Sequence, residues 1–281
     1  MIRSEGEKLK KVIVSSPKKE YTAVSSDSLT THNMYEPSMP DIAMNQHNLL
    51  KSILADTGCR VIDLEELEGH PNSVFTRDMS VVTPSGFIQL RMGLPSRRGE
   101  EGWMSGVLDS LGIPCSGAVL DPASVEGGDV ILAGEVAFLG RSGRTNPEGI
   151  RQISPLLRSI GFEVRTAAVP EPYLHLGGAM SLAGPETIIC AKGVFKKGFF
   201  RGFETIEIGD GSFAAANVIC LGDREVIAHS AHSSTIGALL QNKICVHSAN
   251  LSEFIKGRGG PSCLILPIER GEASHRRRQL A

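Results

Sequence analysis

Five polar residues recur along this chain at similar spacing: Asp78, Glu126, His175, Asn217 and Cys263, separated by 48, 49, 42 and 46 residues. Each stands at the start of an apolar, strand-like run. As a set they can do chemistry. A thiolate is a nucleophile, and it forms beside a base or a positive charge. His175 can activate Cys263 or carry protons for it. Two carboxylates beside a thiol repel an anionic substrate and hold a cationic one. A planar guanidinium pairs with carboxylates in bidentate fashion. Its central carbon accepts sulfur only while the group stays charged, so Asp78 and Glu126 would both hold and activate it. Singly, each residue has a plainer reading. A cysteine ahead of Leu264, Ile265 and Leu266 is usually core, as is a histidine in an apolar stretch. Asp78 alone could simply pair with Arg77. The shared interval favours the joint reading.

The elements that must position these residues repeat as well. "VFTRDMSVVTPSGFIQL" (74–90) reads as a hairpin turning at Thr83–Gly86. "DVILAGEVAFLG" turns at Ala133–Glu135, "AMSLAGPETIICAK" at Gly184–Glu186, and "NVICLGDREVIAHS" at Gly222–Arg224. Helices are expected in "SRRGEEGWMSGVLDSLG", stopped by Gly112, and in "NPEGIRQISPLLRSIG", with Asn146 as N-cap and Pro147 at the first helical position. "SSTIGALLQNK" is a third. Strands near 113–119, in "FEVRTAAV" and in "ICVHS" close the units. The last strand, "CLILPI", would pair with the first, "KVIVSS", and so remove an open edge. The pattern is about five ββαβ units, and a period of this size points to a propeller or solenoid. A three-layer α/β fold is the competing arrangement.

Composition sets outer limits. The chain has 281 residues, 41% of them hydrophobic, and a net charge of -2. Nothing in that balance favours nucleic acid or a membrane surface as partner. The basic cluster Arg276–Arg278 reads as a solvated tail. No apolar run reaches transmembrane length, and the first residues do not form a signal peptide. The six cysteines show no paired spacing, so no disulfide framework or zinc site is expected, and a reducing cytoplasmic compartment fits. No composition shift divides the chain, so residues 1–281 are expected to form one domain. Residues 18–40 are polar and loop-like, a candidate lid over a site.

Six ordered motifs, "NSVFTRD", "GLPSRRGEE", "VEGGDV", "GRSGRTN", "HLGGAMSLAGP" and "GRGGPSCL", resemble those of the guanidino-group modifying enzymes. That superfamily includes dimethylarginine dimethylaminohydrolases, arginine deiminases and amidinotransferases. The resemblance runs from Asn72 to Arg270 and implies an α/β five-bladed propeller (the pentein fold) with a central site. It implies that Cys263 is the covalent nucleophile, His175 the acid and base, and Glu126 with Asp78 the grip on the guanidinium. It places Arg97 and Arg144 at the substrate's α-carboxylate and Asn72 near its α-amino group. It implies two steps through an S-alkylthiouronium, a ureido product such as citrulline, and neither metal nor organic cofactor. The expected partner is a small guanidino compound, and a homodimer is left open.

The motifs point two ways on the substrate. Deiminases carry an aspartate two residues beyond the histidine, where this chain has Gly177. That change, with "GLPSRR" and "MSLAGP", resembles the dimethylarginine enzymes and favours Nω-methylated arginine. "FTRD" and "GRGGPSC" look more like arginine deiminases, which makes free arginine the alternative. An amidinotransferase and a non-catalytic binding factor of the same architecture are the remaining readings.

Overall fold

The structure is a computed structural model that describes residues 1–209 and 211–271. The Arg276–Arg278 cluster lies outside the described residues. The strands, in chain order, are β1 (Lys8–Ser15), β2 (Arg60–Leu64), β3 (Ser80–Thr83), β4 (Gly86–Gln89), β5 (Cys115–Ala118), β6 (Val130–Ala133), β7 (Val136–Arg141) and β8 (Glu163–Ala168). They continue with β9 (Met180–Leu182), β10 (Thr187–Ala191), β11 (Glu204–Ile208), β12 (Val218–Gly222), β13 (Glu225–His229), β14 (Cys245–Ala249) and β15 (Leu266–Gly271). Among the described residues they form five three-stranded sheets, each an antiparallel pair with a third strand parallel to the middle one, and in four of them the antiparallel pair is a hairpin. Turn chemistry supports the hairpins. Asp223 and Arg224 both take positive φ, 50° and 63°, the backbone of a two-residue turn whose twist suits paired strands.

One sheet is shared between distant parts of the chain. β1 pairs antiparallel with β15, Ile13 opposite Leu266, and parallel with β2, Ile13 opposite Ile62. Contacts of β15 with β3, of β1 with β12 and of β12 with β9 link neighbouring sheets. The Leu176–Ala179 turn touches β6, and the Gly127–Asp129 turn touches the Thr76–Asp78 turn. These contacts close a ring, the five-bladed α/β propeller.

Burial falls from the first strand of each unit to the third. β3, β6, β9 and β12 are buried at every residue, whereas β2 and β8 have no fully buried residue. First strands are therefore innermost, which is why they read as unbroken apolar runs rather than alternating ones. Crossover helices pack on the outside. Met104 and Leu108 of the Glu100–Ser110 helix and Ile153 and Leu157 of the Pro147–Ser159 helix share one core with β3, β4 and β6. Asn146 caps the latter helix as expected, its side chain accepting from Gly149 N at 2.7 Å.

One crossover departs from the ββαβ pattern. Between β10 and β11 the chain makes turns without a helix. Gly193, Gly198 and Gly202 take positive φ there, and glycines at that spacing break a helix. Phe199, Phe200 and Phe203 surround Phe138 instead, with ring centroids 5.1 to 5.6 Å away. Among the described residues, no helix is long and apolar enough to cross a membrane.

Candidate active site

The five recurrent residues all sit at one level of the ring. A tight helical turn precedes the first strand of four units, and it places Asp78 (Thr76–Asp78), Glu126 (just before Gly127–Asp129), His175 (just before Leu176–Ala179) and Cys263 (Pro261–Leu264). Asn217 stands directly before β12 in the remaining unit. Neighbouring turns touch, which explains the glycines of "EGGD". A Cβ on Gly127 would lie 2.1 Å from the Arg77 carbonyl oxygen, and one on Gly128 would lie 2.8 Å from the His175 ring.

His175 Nε2 lies 2.8 Å from Glu126 Oε2, and its Nδ1 lies 3.9 Å from Asp78 Oδ1. Asp78 accepts from Gly128 N at 3.1 Å and from Arg97 Nη1 at 2.6 Å. Glu126 accepts from Gly93 N at 2.9 Å and, through both oxygens, from Arg144 Nη1 at 3.2 Å. Arg97 also donates to Glu100 and to the Phe75 and Asn72 carbonyls, which leaves one Nη1 hydrogen for a ligand. Cys263 is half-buried, and its sulfur accepts from Gly260 N at 3.4 Å. Asn217 is 4.0 Å from that sulfur and fixes the loop below it, accepting from Ser262 N and donating to the Gly177 carbonyl, both at 2.8 Å. Asn72 donates to the His32 carbonyl, and its buried Oδ1 has no partner among the described residues.

The charges are arranged unevenly. Burial would raise the Glu126 pKa, but Arg144 and His175 outweigh it and hold the carboxyl well below the usual range. Burial would lower His175, but Asp78, Glu126 and Asp129 raise it, so the imidazole tends to hold its second proton. Burial, then the charge of Asp78, pushes the Cys263 thiol up to about 12. Both shifts favour the protonated form of the group concerned.

All seven residues expected from the sequence are brought together. Three further ones escaped that reading. Asp129 lies under His175, accepting from Leu176 N at 2.8 Å and Ser142 Oγ at 2.6 Å. Glu100 is the buried counter-charge of Arg97. Arg258 lines the cavity with Cys263 and Asn72, donates to Asn33 Oδ1 and covers the Tyr35 ring. Each lies inside or beside a motif already noticed, and that proximity was the available signal. Residues 18–40, the candidate lid, are docked. Tyr21 is buried against Phe254, Tyr35 N donates to the Lys256 carbonyl, and Asn33 reaches the cavity.

The cavity bounded by Asn72, Asp78, Arg97, Arg144, His175 and Cys263 holds about 10 Å³, room for roughly one water. Among the described residues, Asp78, Glu126 and His175 offer one donor atom each within 4.8 Å of one another, a spacing a metal ion could use. Arg97 and Arg144 already take the outward carboxylate oxygens, and two guanidinium charges oppose a divalent ion. The two carboxylates are instead occupied by the protein's own guanidinium groups.

Comparison with known proteins agrees with that chemistry. The family profile described as "N,N dimethylarginine dimethylhydrolase, eukaryotic" matches residues 18–270. The N(G),N(G)-dimethylarginine dimethylaminohydrolase of Pseudomonas aeruginosa is 29% identical over 240 residues, covering 85% of this chain and 93% of that one. The solved structure of a Cys-to-Ser variant of the Pseudomonas aeruginosa enzyme, complexed with citrulline, superposes with a TM-score of 0.81 at 26% identity, over 92% of this chain and 99% of that one. An arginine deiminase of Listeria welshimeri is 24% identical over 256 residues, covering 73% of this chain and 63% of that one. With a match across most of its length, a thiol, an imidazole and Asp78 around one cavity, and Glu126 bonded to that imidazole, the chain belongs to the dimethylarginine dimethylaminohydrolase family, hydrolases of carbon–nitrogen bonds in linear amidines.

Proposed function

We propose that this protein hydrolyses Nω-methylated arginine to citrulline and a methylamine through a covalent intermediate on Cys263. The observation that carries the reading is the convergence of Asp78, Glu126 and His175 beside Cys263, with Gly177 where a further carboxylate would grip the distal nitrogen. Without that carboxylate, one guanidinium nitrogen is free to carry methyl groups. The match to dimethylarginine hydrolases supports the same choice.

Binding exchanges one guanidinium for another. A cavity of about 10 Å³ cannot hold an amino acid, whose site needs roughly 300 Å³ or more. Among the described residues, Arg97 is held by Asp78, Glu100 and two carbonyls, whereas the Arg144 guanidinium is held by Glu126 alone at 3.2 Å. Arg144 therefore swings out most easily. The substrate guanidinium takes its place on Glu126 and Asp78. Arg144, the free Nη1 hydrogen of Arg97 and Arg258 face the α-carboxylate, and the unpartnered Asn72 Oδ1 accepts from the α-amino group.

The incoming cation offsets the repulsion of Asp78 on the sulfur, and the thiol releases its proton to solvent. The thiolate attacks the guanidinium carbon, forming a C–S bond. The methylamine leaves as its C–N bond breaks, protonated by the His175 imidazolium, and an S-alkylthiouronium remains. Water, deprotonated by the now neutral His175, adds to that carbon, and the C–S bond breaks as the added hydroxyl passes its proton to the departing sulfur, releasing citrulline and the thiol. Product analysis tests this. Purified protein is given arginine, monomethylarginine and asymmetric dimethylarginine separately, and citrulline and the released amine are measured. Dimethylamine with little ammonia supports the reading. Ammonia from arginine alone would replace it with a deiminase, which "FTRD", "GRGGPSC" and the Listeria relative favour.

A further inference from the structure

A second cavity shares His175, Arg258 and Cys263 with the first, and Glu5, Arg77, Asn217 and Arg270 are among its other lining residues. It holds about 30 Å³, room for one or two waters, so charges around it act on one another with little screening. Glu5 comes from the Met1–Glu7 segment, outside the stretch that the family profile matches. That segment is fastened in place. Ile2 and Ser4 are buried, Arg3 donates to the Ile160 carbonyl at 3.0 Å, and Glu5 N donates to the Leu132 carbonyl at 2.7 Å. Gly6 is packed so closely that a Cβ there would lie 2.3 Å from the Gly184 carbonyl oxygen.

The Glu5 carboxylate meets Arg77 Nη2 at 2.6 Å and also accepts from Leu132 N. Arg77 is buried beside Asp78 in sequence and donates to the Gly127 and Val130 carbonyls, on both sides of the turn that carries Glu126. One guanidinium therefore ties the Asp78 turn to the Glu126 turn, and one carboxylate from the start of the chain holds it. Asp78, Arg77 and Arg97 are the charges that act most on the Cys263 sulfur; His175, Arg144 and Arg258 line the first cavity with it, and Glu5 and Arg270 the second.

We propose that Glu5 is a positioning residue for the nucleophile: it aims Arg77 and cancels its charge behind Cys263. The proposal rests on the reading of Cys263 as the nucleophile. Arg77 favours the thiolate, and a cation behind the sulfur also repels a cationic substrate. Glu5 thus trades thiol acidity for affinity toward a guanidinium. The trade makes sense only if the substrate itself completes the activation, since a thiolate formed in advance would be exposed to oxidation and alkylation.

The test is Glu5→Gln, which keeps the size and one acceptor oxygen but removes the charge. Iodoacetamide labelling of Cys263 is followed against pH by peptide mass, without substrate, with the exposed Cys115 and Cys245 as internal references. The expected midpoint falls by about one pH unit, so labelling of Cys263 at pH 7 runs about tenfold faster, while the references do not change. KM for the methylated arginine rises. Glu5→Asp, which keeps the charge, stays near the wild-type profile and serves if Glu5→Gln does not fold. An unchanged Cys263 profile in Glu5→Gln, or a Glu5→Asp profile shifted as far as one unit, overturns the proposal. A loss of thermal stability with no shift does so too. Labelling is read without turnover, so its result stands apart from the substrate. Citrulline formation persisting in Cys263→Ser would instead show that the nucleophile was misassigned.

Discussion

Asp78→Asn should move two properties of this protein in opposite directions. Asparagine matches aspartate in size and keeps an oxygen to accept from Gly128 N, which Asp78 does at 3.1 Å. It loses the charge that faces both Arg97 and Cys263. In the free protein, burial followed by Asp78 pushes the thiol up to about 12. At an effective dielectric of about 20, a unit charge acting across a cavity of this size is worth on the order of 2 kcal/mol, roughly one to two pKa units. Removing it also leaves Arg97 with Glu100 as its one remaining carboxylate among the described residues, so more of the Arg97 charge favours the thiolate. The thiol should drop toward about 10, and iodoacetamide should label Cys263 some 10- to 100-fold faster at pH 8. Turnover should fall. A charge-assisted hydrogen bond is worth about 1.5–3 kcal/mol, which predicts a 10- to 150-fold loss in kcat/KM. The assay is labelling by peptide mass beside citrulline formation on the same preparation. Labelling that is unchanged or slower would show that Asp78 does not act on the sulfur. Unchanged kcat/KM would remove it from the guanidinium site.

Other expectations follow from single contacts. Cys263→Ser should abolish citrulline formation by more than about a thousandfold, because a neutral hydroxyl is a far weaker nucleophile than a thiolate; steady-state turnover checks it, and substantial residual activity refutes the covalent step. Arg258→Ala should raise KM about tenfold or more with a smaller change in kcat, as expected for a group that binds the α-carboxylate in ground and transition state alike. Equal losses in kcat and kcat/KM would place it in the chemistry instead. Asn146→Ala removes a cap that accepts from Gly149 N at 2.7 Å and from Ser124 N at 3.1 Å; it should cost about 1–2 kcal/mol, seen as a lower Tm or denaturation midpoint.

Much of the architecture was legible because hairpins are local. "NPEG", "TPSG" and "GDRE" carry their turn and cap chemistry within a few residues, so strand pairs and helix starts could be placed from them. Where a crossover broke its pattern the cause was local too, the three glycines between β10 and β11. Those glycines could have been read as helix breakers, but the phenylalanines among them suggested no partner. Phe138, which they enclose, lies in a different unit.

The interval between Asp78, Glu126, His175, Asn217 and Cys263 is a property of the sequence alone. Once each unit spans one blade, equal spacing brings equal positions to the axis, and residue type then names the chemistry. What those groups are bonded to, and in what charge state, only the tertiary structure decided. Arg97 and Arg144, which the resemblance places at a substrate's α-carboxylate, fold back onto Asp78, Glu100 and Glu126. Asp129 and Glu5 act from other turns and segments on His175 and Arg77. A period along the chain records which residues share a ring. The electrostatics of a buried site depends on distances across it, between residues that no local pattern connects.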